Sequence, residues 1–337
     1  MAPPRLGVNF TVRDERPRSE AAAFARRIEE LGYDSIWVGE SWGRELFSTL
    51  TFLACNTRRI QVAAGIANVY SRTPSLLAQS IATLDEISGG RAVLGLGSSG
   101  AKVVRDWHGI PFERPVERTR EYMEIVNLAL SGERVNYDGQ FFRLRDFRLG
   151  FTPPRKHVPL FIAALGARNI ELTGELADGW NPIYVSPRHV QGFRRQLAEG
   201  AAKRGRQADA VDVRPYVIVC VSRDVAQAQA LARGHLAFYV GGMGRYYHDL
   251  IARYGYVEEA ALVKQRWGRR DRAGAAAAVS DAMLEELAVL GPPERCRRKL
   301  VDLQAAGMGS PVIYIPNGTP DDLVRETIEG VAPSAFR

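Results

Sequence analysis

Short apolar runs alternate with amphipathic helical stretches along most of the chain, and that rhythm limits the fold more than any other feature. The runs fall at 6–11, 35–40, 60–66, 92–97, 159–165, 179–185, 215–222 and 311–316. They are rich in Val, Ile, Leu, Ala and Gly with little polar alternation, as strands buried on both faces require. Between them, apolar residues recur at helical spacing: Phe24, Ile28 and Leu31, then Leu77, Ile81 and Leu84, then Val190, Phe193 and Leu197. Ser19, Thr73-Pro74, Pro115 and Ser186-Pro187 are placed to open helices, and Gly32 and Gly89-Gly90 to close them. The expectation is an α/β fold with a parallel sheet covered by helices, and eight such units is the number that closes a (β/α)8 TIM barrel. A doubly wound open sheet is the alternative. Residues 235–291 break the rhythm and read as an insertion within one domain spanning 1–337. A hairpin is predicted at Asp138-Gly139.

Several function classes are excluded early. With 46% hydrophobic and 25% charged residues over 337 positions, the chain has ordinary globular composition. The net charge of +7 comes from Arg residues spread along helices, which reads as solvated faces and not as a nucleic-acid footprint. No run approaches the ~20 apolar residues of a membrane span. The start, MAPPRLGVNF, lacks an apolar signal core. Three distant cysteines without a CxxC pair fit a reducing compartment, so a cytoplasmic protein is expected. The five histidines show no metal spacing, so no metal is expected. No G-x-S-x-G elbow is present, which disfavours that type of acyl transfer.

The candidate site residues sit where these runs end. In QVAAGIANVYSRTP (61–74) a buried strand reaches Gly65 and turns polar, and glycine admits backbone geometry that other residues resist. Gly95-Leu96-Gly97-Ser98-Ser99-Gly100 matches G-x-G-x-x-G, but Asp106-Trp107-His108-Gly109 breaks the chain before any helix opens. A close-approach loop therefore fits better than a dinucleotide fingerprint. The run Ala164-Leu165-Gly166-Ala167-Arg168 lets backbone N–H groups crowd at a helix start, where an anion is favoured. Glu40 ends the second strand as a candidate carboxylate, followed by Ser41 and Trp42. Trp107 with His108, and Trp180 with Tyr184, also fall at strand ends, collecting aromatics as a flat ring ligand would need. Each of these taken singly is equally an ordinary turn, surface acid or packing residue.

Taken together, GIANVYSRTP (65–74), ISGGRAVLGLGSSG (87–100), DWHGIPF (106–112), FIAALGARNIELTGELADGW (161–180) and WVGESW (37–42) resemble the bacterial luciferase-like family of barrels. The likeness is to its deazaflavin (coenzyme F420) branch, which includes methylenetetrahydromethanopterin reductase. The resemblance implies a non-prolyl cis peptide at Gly65-Ile66 behind the deazaflavin ring. It implies Asn68 at the ring edge, Ala164 to Arg168 holding phosphate, and Glu40 beside the ring, while Gly97 and Ser98 of the close-approach loop are expected to touch the cofactor. Ser41 stands where relatives often have His, and Gly100 where some carry an acid, which leaves Glu40 and His108 as candidate proton donors. The implied activity is hydride transfer between coenzyme F420 and a small organic substrate: an imine, enone, ketone or alcohol. An FMN-dependent monooxygenase and a non-catalytic cofactor-binding barrel are the alternatives. A homodimer is the default expectation.

Overall fold

Each of the eight apolar runs contains a strand, usually shorter than the run, in the computed structural model, which describes residues 4–10 and 17–336. Thr11, read as the end of the first strand, lies outside the described residues. The chain divides into two units, one of residues 7–181 and 195–212, the other of residues 4–6, 182–194 and 213–336.

In the first unit the strands are β1 (Gly7–Asn9), β2 (Ser35–Val38), β3 (Gln61–Ala64), β4 (Ala67–Asn68), β5 (Ala92–Gly97), β6 (Val135–Asp138), β7 (Arg143–Phe147), β8 (Leu160–Ile162) and β9 (Gly179–Trp180). Its helices are α1 (Arg18–Glu30), α2 (Leu46–Asn56), α3 (Pro74–Ser88), α4 (Pro115–Leu130) and α5 (Ala167–Leu176). The sheet runs β1-β2-β3-β5-β8-β9 with every pairing parallel, and β4 continues β3 alongside β5. Parallel strands must cross over through a helix, and the fully buried β2, β5 and β8 show why their sequences carry no polar alternation. β6 and β7 pair antiparallel as the hairpin that Asp138-Gly139 predicts.

Helix ends follow the sequence signals with two corrections, one of them at Ser186-Pro187, where residues 187–189 form a turn first and the helix begins only at Val190. Thr73 accepts the Leu76 N–H at the start of α3, Pro74 takes the first helical position, and Gly89 closes the helix at φ 68°. Glu45 caps α2 by accepting the Phe47 and Ser48 N–H groups. Ser19 does not cap α1: the helix begins at Arg18 with Pro17 before it, so Ser19 is already inside the first turn. The fixed φ of Pro17 sets the helix entry that the hydroxyl was expected to set.

Helix α6 (Val190–Ala202) and strand β10 (Asp212–Val213) carry the chain across the divisions between units. In the second unit β11 (Tyr216–Val221) pairs parallel with both β12 (Ala288–Gly291) and β13 (Val312–Tyr314). Between β11 and β12 come α7 (Val225–Gly242), α8 (Arg245–Arg253), α9 (Val257–Gly268), α10 (Arg272–Ala277) and α11 (Asp281–Leu287), and beyond β12 lie α12 (Pro293–Leu303) and α13 (Asp321–Gly330). The segment read as an insertion is thus helical, except that its last four residues, β12, belong to the sheet. A four-residue apolar run directly after a helix gives no periodicity to separate it from that helix. No helix among the described residues is long and apolar enough to cross a membrane.

Glu175, at the end of α5, accepts from Arg120 of α4 at 2.8 and 2.5 Å and from Arg204 at 3.2 Å. The Arg120 hydrogen bonds, opposed by burial and assisted by Arg204, hold this carboxyl down at about 2, against an ordinary value of 4.5. A depressed folded value means that the stabilisation is complete above the unfolded value and is lost as pH falls toward 2. Glu175→Gln is expected to cost about 1–2 kcal/mol at neutral pH. The variant should also lose less further stability than the wild type between pH 5 and pH 3, as read by urea unfolding at each pH.

Candidate functional site

The wall of the site is built where β3 gives way to β4. Ala63 stands opposite Val93 of β5, and Ala67 stands opposite Leu96. Four steps on one strand span three on the other, so β3–β4 carries one extra residue, a β-bulge. The Gly65–Ile66 peptide within it is cis. From Val62 to Tyr70 only Gly65 and Ile66 reach the surface. The neighbouring strand makes room by omission. A Cβ on Gly95 would lie 2.1 Å from the Ala64 carbonyl oxygen, and one on Gly97 would lie 2.9 Å from Cγ1 of Ile66. The Gly65 N–H donates to the Val38 carbonyl at 2.7 Å, and the Val69 N–H to the Gly97 carbonyl at 3.1 Å. Asn68 is buried, and its Oδ1 accepts from the Tyr70 N–H at 3.0 Å, which leaves the side-chain NH2 as the group able to serve a ligand.

Behind the wall stands a side chain to which the sequence reading gave no role. Arg118 of α4 donates from Nε to the Val69 carbonyl at 2.8 Å. Its guanidinium lies over the rings of Tyr70 at 4.7 Å, Phe142 at 4.9 Å, Phe141 at 5.5 Å and Tyr122 at 5.9 Å. The two phenylalanines come from the β6–β7 turn. That turn is fixed by Glu121, whose carboxylate accepts the N–H groups of Gln140 at 2.6 Å and of Phe141 and Phe142 at 3.0 Å. One face of α4 therefore holds the hairpin with an acid and the wall with a base.

The Glu40 carboxylate, two residues beyond β2, is not a lone acid. Arg72 donates to both oxygens of Glu40 at 2.7 Å, reaches Glu45 as well, and is itself mostly buried. The Glu40 hydrogen bonds raise the Arg72 pKa further, with burial opposing and Glu45 assisting. The unit at this strand end is an acid–base–acid cluster, and Glu40 is already engaged on both oxygens, which argues against it as the proton donor. Ser41 and His108 are exposed. Trp42 and Trp107 meet edge to face at 5.0 Å while remaining 58% and 44% exposed, so the two loops present one open aromatic ledge.

The remaining candidates separate. Gly97 and Ser98 lead from β5 into the π-helical turn Lys102–Trp107. Gly166 precedes α5 without any side-chain cap, and Gly166 to Arg168 are exposed, so the first N–H groups of that helix face outward. The guanidinium of Arg168 pairs with Glu117 at 2.7 Å across the surface. Trp180 is buried, and its Nε1 donates to the Ala164 carbonyl at 2.9 Å, so it braces the 164–168 turn from beneath and does not line an opening. Tyr184 belongs to the second unit and packs there among other tyrosines. Among the described residues no group of three metal-ligating side chains occurs.

The model of a family described as luciferase-like monooxygenase matches residues 6–310. The chain is 34% identical over 331 residues to 5,10-methylenetetrahydromethanopterin reductase of Archaeoglobus fulgidus, covering 94% of this chain and 95% of that protein. Among solved structures, coenzyme F420-dependent tetrahydromethanopterin reductase from Methanopyrus kandleri superposes with a TM-score of 0.83 at 26% identity, covering 98% of both chains. An F420-dependent secondary alcohol dehydrogenase superposes at 0.80 with 18% identity, covering 99% of this chain and 100% of that one, a likeness of fold.

Arg118→Met removes the hydrogen bond to Val69 and leaves Phe141 and Phe142 without the cation they enclose. The expected loss is about 2–3 kcal/mol of stability by chemical denaturation. Arg118→Lys should recover part of it, because the charge returns without the planar group that stacks.

Proposed function

The chain belongs to the luciferase-like monooxygenase family, and on that footing we propose that it is a coenzyme F420-dependent oxidoreductase. When bound, the deazaflavin supplies or accepts a hydride, and a small organic molecule is the other party. The single observation that carries the reading is the β3–β4 bulge: an otherwise buried segment exposes only Gly65 and Ile66, with Gly97 clearing space for the Ile66 side chain. A flat face free of projecting polar groups is what a planar heterocycle packs against.

The chain's own residues divide the work as follows in this proposal. Gly65 and Ile66 form the backing surface. The Asn68 NH2 donates to the edge of the ring, oriented by the bond its oxygen accepts from Tyr70. Gly97, Ser98 and the uncapped start of α5, Ala164 through Arg168, hold the phosphate end, where exposed N–H groups and the helix dipole favour negative charge. Glu40 contributes through Arg72, which fixes it as a hydrogen-bond acceptor. Trp42 and Trp107 form a ledge for the organic substrate, drawn from imines, enones, ketones and alcohols. His108 and Ser41, exposed beside that ledge, are the remaining candidates for proton delivery. The reading treats residues 1–337 as one functional domain, active as a cytoplasmic homodimer.

The test is a titration of the purified protein with coenzyme F420 and separately with FMN, followed by absorbance and fluorescence. Coenzyme F420 is expected to bind at least tenfold more tightly. Asn68→Ala and Gly97→Val are expected to weaken it tenfold or more, the second because Ile66 must move. Tight FMN binding with oxygen uptake after reduction, and no F420 binding, would instead make the chain a flavin monooxygenase. Binding without turnover of any carbonyl, imine or alcohol would leave a cofactor-binding barrel.

A further inference from the structure

The second unit contains a cluster of aromatic hydroxyls that the roles above leave unused. Tyr184 stacks edge to face on Tyr239 at 5.4 Å and on Tyr247 at 5.9 Å, and His235 on Tyr314 at 4.8 Å. The Tyr239 and Tyr314 hydroxyls bond each other at 2.6 Å. The Tyr184 hydroxyl and Nε2 of His235 are buried with no hydrogen-bond partner. Unpartnered buried polar atoms are uncommon in folded proteins, and two of them in one aromatic cluster ask for a reason.

Further observations give these atoms a direction. Nδ1 of His235 accepts the Asn317 N–H at 3.3 Å, so in the neutral ring the hydrogen sits on Nε2, which makes Nε2 a donor. Burial keeps the ring neutral by lowering its pKa to about 3. The phenols of Tyr184 and Tyr239 are held well above their ordinary value, by burial first and then by neighbouring phenols. The cluster therefore has hydrogens to offer and no charge of its own. Tyr184 is 2% exposed and takes a left-handed backbone, φ 58°, that a bulky aromatic rarely adopts. Tyr239, Tyr247 and Tyr314 are half-buried, so each of the three reaches solvent in part.

We infer that this cluster is a binding pocket for a neutral organic molecule with a carbonyl or alcohol oxygen on an apolar, flat body, the oxygen accepting from the Tyr184 hydroxyl and from Nε2–H of His235. Half-buried tyrosine rings supply the apolar walls, and the buried donors supply the specificity. Anions and cations are disfavoured because no compensating charge accompanies the donors. The inference concerns a binding site within the second unit and does not depend on the function proposed above.

The experiment measures binding of acetophenone, ethylbenzene and benzoate to the full-length protein by calorimetry, with and without coenzyme F420. Acetophenone is expected to bind at least tenfold more tightly than ethylbenzene, which lacks the oxygen, and than benzoate, which carries a charge. Tyr184→Phe should bring acetophenone to the level of ethylbenzene and leave ethylbenzene unchanged. The ligand-free melting temperature of Tyr184→Phe should not fall, because the hydroxyl it removes has no partner; a fall would show that the hydroxyl is bonded within the fold. Equal binding of acetophenone and ethylbenzene, unchanged acetophenone binding in the variant, or no binding with or without cofactor would overturn the inference. Tyr184-dependent ketone binding in a protein that fails to bind F420 would uphold the pocket and reject the oxidoreductase reading.

Discussion

The first unit turns on one extra residue in a strand. Ala63 to Ala67 must fit beside Val93 to Leu96, and the mismatch can only bulge outward if the neighbouring strand offers nothing to collide with. Gly95 meets that demand most sharply, since any side chain there would run into the Ala64 carbonyl. Gly97 then leaves space for Ile66. The surface proposed for the cofactor is thus set as much by the atoms β5 lacks as by those β3 provides.

Electrostatics fix the same region from the loops. Arg72 is the common partner of Glu40, which follows β2, and Glu45, which caps α2. It lies between Asn68 and the Thr73 cap of α3, so one guanidinium ties the loop beyond the bulge to two helix starts. A mostly buried base between two acids has a fixed geometry, because each unpaired charge would carry a desolvation cost.

Sequence reading recovered the elements whose signals are local. Thr73-Pro74 and Gly89 bracket α3 because capping needs only adjacent residues, and the hairpin at Asp138-Gly139 follows for the same reason. Strand existence was legible from continuous apolar runs, while strand ends were not, since β2 stops at Val38, short of Glu40. The candidate site could be proposed from sequence where a motif is contiguous, as in residues 65–68, 97–98 and 164–168. Arg72, Arg118 and Glu121 escaped because their meaning depends on partners far along the chain: Glu40 from Arg72, Val69 from Arg118 and the 140–142 backbone from Glu121. No spacing rule reports such a meeting. Trp180 illustrates the converse, a residue at the right strand end whose ring turns inward to hold the Ala164 carbonyl.

The hairpin clip on α4 has an evolutionary corollary. Glu121 grips only main-chain N–H groups of residues 140–142, so it is indifferent to which side chains the turn displays. Phe141 and Phe142 are linked to the Val69 carbonyl through Arg118. Drift in that outlying turn can therefore adjust the stiffness of the wall proposed for the cofactor from its rear, letting descendants of one scaffold diverge in selectivity while the residues of that proposed surface stay the same.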